Sequence, residues 1–178
     1  MKELAERNRD KVIDLLNERL VFERAGVKLY DAIVQNMQKS KSPEVGRMLP
    51  TMKEHRNHEK EHEEWLEEQI RALGGDAHGH TEMGDLITVE SAGIERVVTT
   101  DQDLVHQLHG LLTAELVDNA GWELLLELAD EAGDDVARRE MRTRAHHEEE
   151  HLIFVRRAIV AFARRNVLGK ATQLPASP

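Results

Sequence analysis

The stretch LPTMKEHRNHEKEHEEWLEEQIRALGG, residues 49–75, decides the fold. Leu49, Met52, His55, Glu59, His62, Leu66, Ile70 and Leu73 recur every three or four positions, the period of one helix face. The stripe is apolar at both ends and polar in the middle. A helix that buries this face therefore carries a carboxylate and imidazoles into an apolar interior. Gly74-Gly75 ends the helix. Ser42-Pro43-Glu44 reads as its start, with the hydroxyl as cap and proline in the first turn, and Pro50 should kink it or mark its true beginning.

Working outward, a first amphipathic segment spans about residues 2–38, with Leu16, Leu20, Val27, Tyr30, Val34 and Met37 at helical spacing. A third is expected near 101–132 and a fourth near 135–165, separated by Gly133-Asp134. The stretch between Asp76 and Thr100 is polar and offers at most a short helix around 91–98. Short links force neighbouring helices antiparallel, whereas a link of about 25 residues crosses the length of a bundle. The expectation is an all-α antiparallel four-helix bundle, two hairpins joined by one long crossover between the second and third helices. It would occupy residues 1–168, with a flexible tail over 169–178.

Composition agrees with a single helical domain and narrows the function. The chain has 178 residues, 40% hydrophobic, 33% charged and only 3% aromatic, so it can bury one core and is too charged for a membrane protein. The absence of cysteine excludes disulfides, thiolate metal sites and thiol catalysis, leaving His, Asp and Glu as the ligands for any metal. With 34 acidic residues against 24 basic ones the net charge is −10, which argues against nucleic-acid binding. The opening MKELAERNRDK is charged throughout and lacks the apolar segment of a secretory signal, so a cytoplasmic protein is expected.

Each of the four stripes is interrupted by acid or histidine. Glu23 interrupts the first, Glu59 and His62 the second, Glu115 and Asp118 the third, and Glu148 and His151 the fourth. Glu23 lies 18 residues before position 41 and Glu59 18 after it, while Glu115 lies 18 before Gly133 and Glu148 and His151 lie 15 and 18 after it. At about 1.5 Å per residue these heights agree to within one helical turn, so Glu23, Glu59, His62, Glu115, Glu148 and His151 should meet in one layer. Composition alone supplies about one or two Glu-x-x-His pairs, so the motif is weak by itself. The weight rests on position and matching height. Each buried carboxylate costs on the order of several kcal/mol, and two divalent cations would neutralise the four glutamates of this layer. A dinuclear centre, with metals about 3.5–4 Å apart, is therefore expected on these six residues, with Glu59 and Glu148 as candidate bridges.

Residues around the layer have weaker readings. Tyr30 is a candidate catalytic residue, as a hydrogen-bond donor to a metal-bound carboxylate or a radical trap, with a plain core tyrosine as the alternative. His55 could support or join the ligands, and Asp118 could hold a ligand histidine or add a carboxylate. Glu18 rivals Glu23 but sits nearer a polar face. Trp65 and Trp122 read as packing, and His78 and His80 as surface residues of the crossover.

The segments ERAGVKLY (23–30), EKEH (59–62) with EEWLEEQIRALGG (63–75), LTAELVDNAGWELL (112–125) and EEEHLIFV (148–155) resemble the ferritin-like di-iron carboxylate superfamily, in particular bacterioferritins and the di-iron domain of rubrerythrins. The resemblance covers all four helices. It implies the same six residues as ligands, two iron ions per chain with manganese as the alternative and zinc as an adventitious occupant, and dioxygen or peroxide as reactant. Lys60 stands where bacterioferritins place the haem-binding methionine, so haem is not expected. Three functions follow: a ferroxidase- or peroxidase-like redox enzyme, an iron-storage protein, or a helical module with a structural metal. A homodimer or other small homo-oligomer is expected, since two-fold dimers are the commonest assembly and the long crossover would obstruct cage contacts.

Overall fold

The computed structural model describes residues 1–169 and residue 175, and among these it is all-helical. The expected tail lies outside the described residues except for Gly169 and Pro175. There are five helices, one more than expected: α1 (Lys2–Lys39), α2 (Pro43–Ala72), α3 (Glu82–Thr100), α4 (Leu104–Glu131) and α5 (Asp135–Leu168).

Local chemistry sets the ends. The Ser42 hydroxyl accepts from Val45 N at the start of α2, Asp103 accepts from Val105 N and His106 N at the start of α4, and Asp134 accepts from Ala137 N at the start of α5. Gly74 (φ 79°) and Gly133 (φ 69°) take the left-handed conformation that stops α2 and α4 at little steric cost. Pro50 neither starts nor divides α2, which begins seven residues earlier and runs on to Ala72. Pro50 and Gly46 both lie on the exposed side, where water can satisfy the carbonyl that proline leaves without its helical donor.

The helix α3 corrects the expected crossover. It has 19 residues, where at most a short helix around 91–98 was expected. Thr81 caps it by accepting from Gly84 N, and Glu82 and Asp85 favour its first turn. Ile87, Ser91, Ile94 and Val98 form a thin stripe directed at α1 and α4. Gly110 lets α4 approach, since a Cβ there would stand 2.8 Å from Val98 Cγ2.

Contacts along the helices give their directions. Leu4 N donates to Asp134, just beyond α4, while Asn36 donates to Gln107 in the first turn of α4, so α1 and α4 run opposite ways. Asp31 with Arg56 and Arg24 with Glu67 set α1 against α2, and Glu44 with Arg165 sets α2 against α5. Hence α2 and α4 share a direction. The core falls into two apolar clusters. One holds Leu29, Ile33, Met48, Met52, Leu108, Leu111, Val155 and Ala158. The other holds Leu16, Leu20, Leu66, Ile70, Trp122, Leu125 and Met141. On every one of α1, α2, α4 and α5 the polar interruption falls between the two clusters. No helix among the described residues is long and apolar enough to cross a membrane.

The tight α3–α4 approach has a testable consequence. Gly110→Ala should lower stability by about 1–3 kcal/mol, the usual cost of overpacking, measured by urea denaturation. Adding Val98→Ala should recover part of that loss; no recovery would mean that the contact does not limit the approach.

Candidate metal centre

The structure brings all six predicted residues into one layer. Glu23, Glu148 and His151 are fully buried, and Glu59, His62 and Glu115 are exposed by 2% or less. His62 Nδ1 lies 2.9 Å from Glu148 Oε1 and 3.4 Å from Glu23 Oε2. His151 Nδ1 lies 3.2 Å from Glu59 Oε1, 3.4 Å from Glu148 Oε2 and 3.7 Å from Glu115 Oε2. Glu148 thus turns one oxygen toward each imidazole. Three sets of side chains bring one ligand atom each to within 4.8 Å of the others: Glu59, Glu115, Glu148 and His151; Glu23, His62 and Glu148; and Glu23, Glu59, Asp118 and Glu148. Glu148 belongs to all three.

These atoms match the donor set of a cation better than that of a hydrogen-bonded polar core. Among the described residues, Glu23 Oε2, Glu115 Oε2, both Glu148 oxygens, His62 Nδ1 and His151 Nδ1 are buried with no well-aligned hydrogen bond, each having only the others of this group or Glu59 as close polar neighbours. Leaving such groups unpaired in an apolar interior is costly, and native interiors avoid it. A divalent cation is the partner their chemistry fits: two of the three sets combine hard carboxylate oxygens with one imidazole, and the third is carboxylate alone.

The far oxygens of the two outer glutamates are held. Tyr30, fully buried, donates from its hydroxyl to Glu115 Oε1 at 2.5 Å. The Trp122 indole N–H donates to Glu23 Oε1 at 2.6 Å, so Trp122 does more than the packing expected of it. Each bond leaves the Oε2 of its glutamate facing the other ligands. The two donors are related by register: Tyr30 lies seven residues after Glu23, and Trp122 seven after Glu115, yet each serves the glutamate of the other helix.

Asp118 is paired with Arg19 rather than with a ligand histidine: Arg19 Nη1 donates to its Oδ1 at 2.9 Å, and both side chains are buried. Arg19 also pairs with Glu18, so Glu18 stays outside the layer. The ion pair cancels Asp118 formally and leaves the four glutamate charges of the layer. Two glycines make room. A Cβ on Gly26 would stand 2.0 Å from Glu59 Oε2, and one on Gly121 2.1 Å from Arg19 Nη1. Trp65 packs against Trp122 and under Arg144. His78 meets Arg24 and His80 meets Asp85, both on the surface. His55 is buried and stacks on His151 at 4.2 Å between ring centroids, without bonding to a ligand.

Sequence reasoning missed Arg19, His58 and His147. His58 Nδ1 lies 3.1 Å from His151 Nε2, and His147 Nδ1 lies 3.2 Å from His62 Nε2. A signal was present. His58-Glu59-Lys60-Glu61-His62 and His147-Glu148-Glu149-Glu150-His151 both read H-E-x-x-H, which puts a second histidine one turn before each ligand histidine on the same face.

No family model, curated protein or solved structure matches the chain.

Without metal, the layer shares protons. Burial, then the charges of Glu148, Glu23 and Glu115, pushes the Glu59 carboxyl well up. Burial, with Glu148 and Glu23 adding to it, raises Glu115 to about 8 against the pull of His151 and Tyr30. Burial would lower His62, but Glu23 and Glu148 outweigh it and raise the imidazole to about 9. His151 is raised in the same way, with Glu148 and Glu115 outweighing burial. For Glu148 burial pushes upward, and contact with His151 and His62 overrides it and holds the carboxyl below its ordinary value.

The raised groups make the metal-free protein pH-sensitive. A folded-state value above the unfolded one contributes stability that is present below the unfolded value and lost as pH rises through the folded one. The melting midpoint of metal-free protein should therefore fall as pH rises from the ordinary histidine value of 6.5 through about 8 and about 9. Added Mn(II) should oppose that fall, because the ligand atoms shed protons when a cation binds. A metal-free midpoint that is flat or rises over this window would contradict the assignment.

Proposed function

We propose that this chain is a ferritin-like di-iron carboxylate protein, with manganese as the alternative metal, that performs ferroxidase- or peroxidase-type redox chemistry with dioxygen or peroxide. In this reading α1, α2, α4 and α5 are the four-helix frame and α3 occupies the crossover. The observation that carries the proposal is the set of six inward-facing, buried ligand atoms without well-aligned hydrogen bonds, contributed by all four frame helices. Glu23, His62 and Glu148 would hold one ion, and Glu59, Glu115, Glu148 and His151 the other. When bound, two Fe(II) ions supply the two electrons that reduce the O–O bond of peroxide.

The side chains do the rest. The apolar clusters on either side keep bulk water from the layer, which strengthens each charge interaction inside it. Four glutamates favour the higher charge of oxidised iron over the lower. Tyr30, the only tyrosine in the chain, has its hydroxyl pushed well above its ordinary value by burial and by the charges of Glu115 and Glu59. It therefore keeps its own proton, hydrogen-bonds Glu115 through it and would influence the oxidation step from there. A surface pocket of about 390 Å³, lined by Glu54, His55, His58, Glu150 and Phe154, abuts the histidines beside His151 and offers a small oxidant an approach.

Protein purified without chelator should contain two metal ions per chain. Loaded with Fe(II) under anaerobic conditions and mixed with peroxide in a stopped-flow instrument, it should oxidise iron faster than free Fe(II) in the same buffer. Glu148→Ala should lose both ions, since that residue serves both sets. Oxidation no faster than in buffer, with the variant behaving as the parent does, would leave a structural metal site in place of an enzyme.

The same reading includes a homodimer or other small oligomer. Leu116, Val117 and Leu124 of α4 are more than two-fifths exposed and give a second copy an apolar surface. Light scattering should give a mass of a few chains; a closed particle of ferritin-cage size would instead restore storage as the leading function.

A further inference from the structure

His58 and His147 belong to none of the sets that can hold a cation, and the reading above gives them no task. Each is half-buried. The two rings stack on each other, 4.0 Å between centroids and 13° between planes. Their Nδ1 atoms point away from that stack in a crossed pattern: His58 of α2 meets Nε2 of His151 on α5, and His147 of α5 meets Nε2 of His62 on α2.

The ligand imidazoles direct Nδ1 at the carboxylates. An imidazole that coordinates through Nδ1 carries its proton on Nε2, and the group that accepts that proton's hydrogen bond fixes both tautomer and ring orientation. For rings that coordinate in this way, the acceptor here would be the Nδ1 lone pair of a second histidine, which must then carry its own proton on the opposite nitrogen. A carboxylate commonly fills this position in metal sites. In this layer it would add a further negative charge beside four glutamates and Asp118, whereas a neutral imidazole accepts the bond and adds none.

We propose that His58 and His147 are positioning residues of the metal centre, each holding the ligand histidine of the opposite helix as its Nε2–H tautomer so that Nδ1 is free for a cation. His58 therefore serves the half built on Glu59, Glu115 and His151, and His147 the half built on Glu23 and His62. The inference rests on the metal-centre reading, and its test separates the two.

The variants are His58→Leu, His58→Asn, His147→Leu and His147→Asn. Leucine keeps bulk without an acceptor, whereas asparagine places Oδ1 close to where histidine places Nδ1. The first measurement is nitrogen-edited proton NMR of metal-free protein, where the Nε2–H signals of His62 and His151 should be protected from exchange with water. His58→Leu should remove protection at His151 alone and His147→Leu at His62 alone, while both asparagine variants retain it. The second is titration with Co(II) against a competing chelator. The parent should take up two ions, each leucine variant should weaken one of them about 10- to 100-fold, and the asparagine variants should stay close to the parent. Protection that survives both leucine substitutions overturns the proposal. So does a leucine variant that disturbs both ligand histidines alike, which would mark a general packing role. If the parent takes up no Co(II), the metal-centre reading falls, and the NMR result by itself decides whether His58 and His147 hold the Nε2–H groups.

Discussion

Four glutamates share one buried layer with Asp118, which pairs with the buried Arg19. Each buried ion costs on the order of several kcal/mol when uncompensated, so the rest of the molecule is arranged around that charge. The apolar clusters sit on either side of the layer and carry the packing that holds the helices together without it. Gly26 and Gly121 are small because a carboxylate and a guanidinium occupy the space that a Cβ would take. Metal-free, the layer relieves its charge by retaining protons on groups such as Glu115 and His62.

The two hairpins interlock at this layer. Tyr30 of α1 holds Glu115 of α4, and Trp122 of α4 holds Glu23 of α1. His58 and His147 cross in the same sense between α2 and α5. Each hairpin thus supplies hydrogen-bond partners for the other hairpin's buried carboxylates and imidazoles. Neither half contains a finished set, so the geometry of the layer depends on the two being docked together.

The long connection shows where pattern reading loses its grip. The helix α3 contains Gly84 and Gly93, several β-branched residues and a stripe of only four positions, one of them serine, so its local signal is weak. It forms because α1 and α4 provide a surface for Ile87, Ile94 and Val98, with Gly110 allowing the approach. Pro50 does not begin α2 for the converse reason. A strong local breaker is tolerated where its unpaired carbonyl reaches water and the flanking turns are anchored by Met48 and Met52.

The sequence by itself determined the helical class, four of the five helices to within a few residues, and the six side chains that share the layer. Each of these follows from periodicity and from residue counts between turns, both of which are properties of the linear chain. Tertiary structure alone decided the partners. Arg19 takes Asp118, Trp122 takes Glu23 and Tyr30 takes Glu115, contacts separated by 99, 99 and 85 residues. Spacing along one helix places a side chain on a face, but which atom of another helix meets it depends on the rotation and approach of the two helices. That rotation is set by the packing of both apolar clusters together.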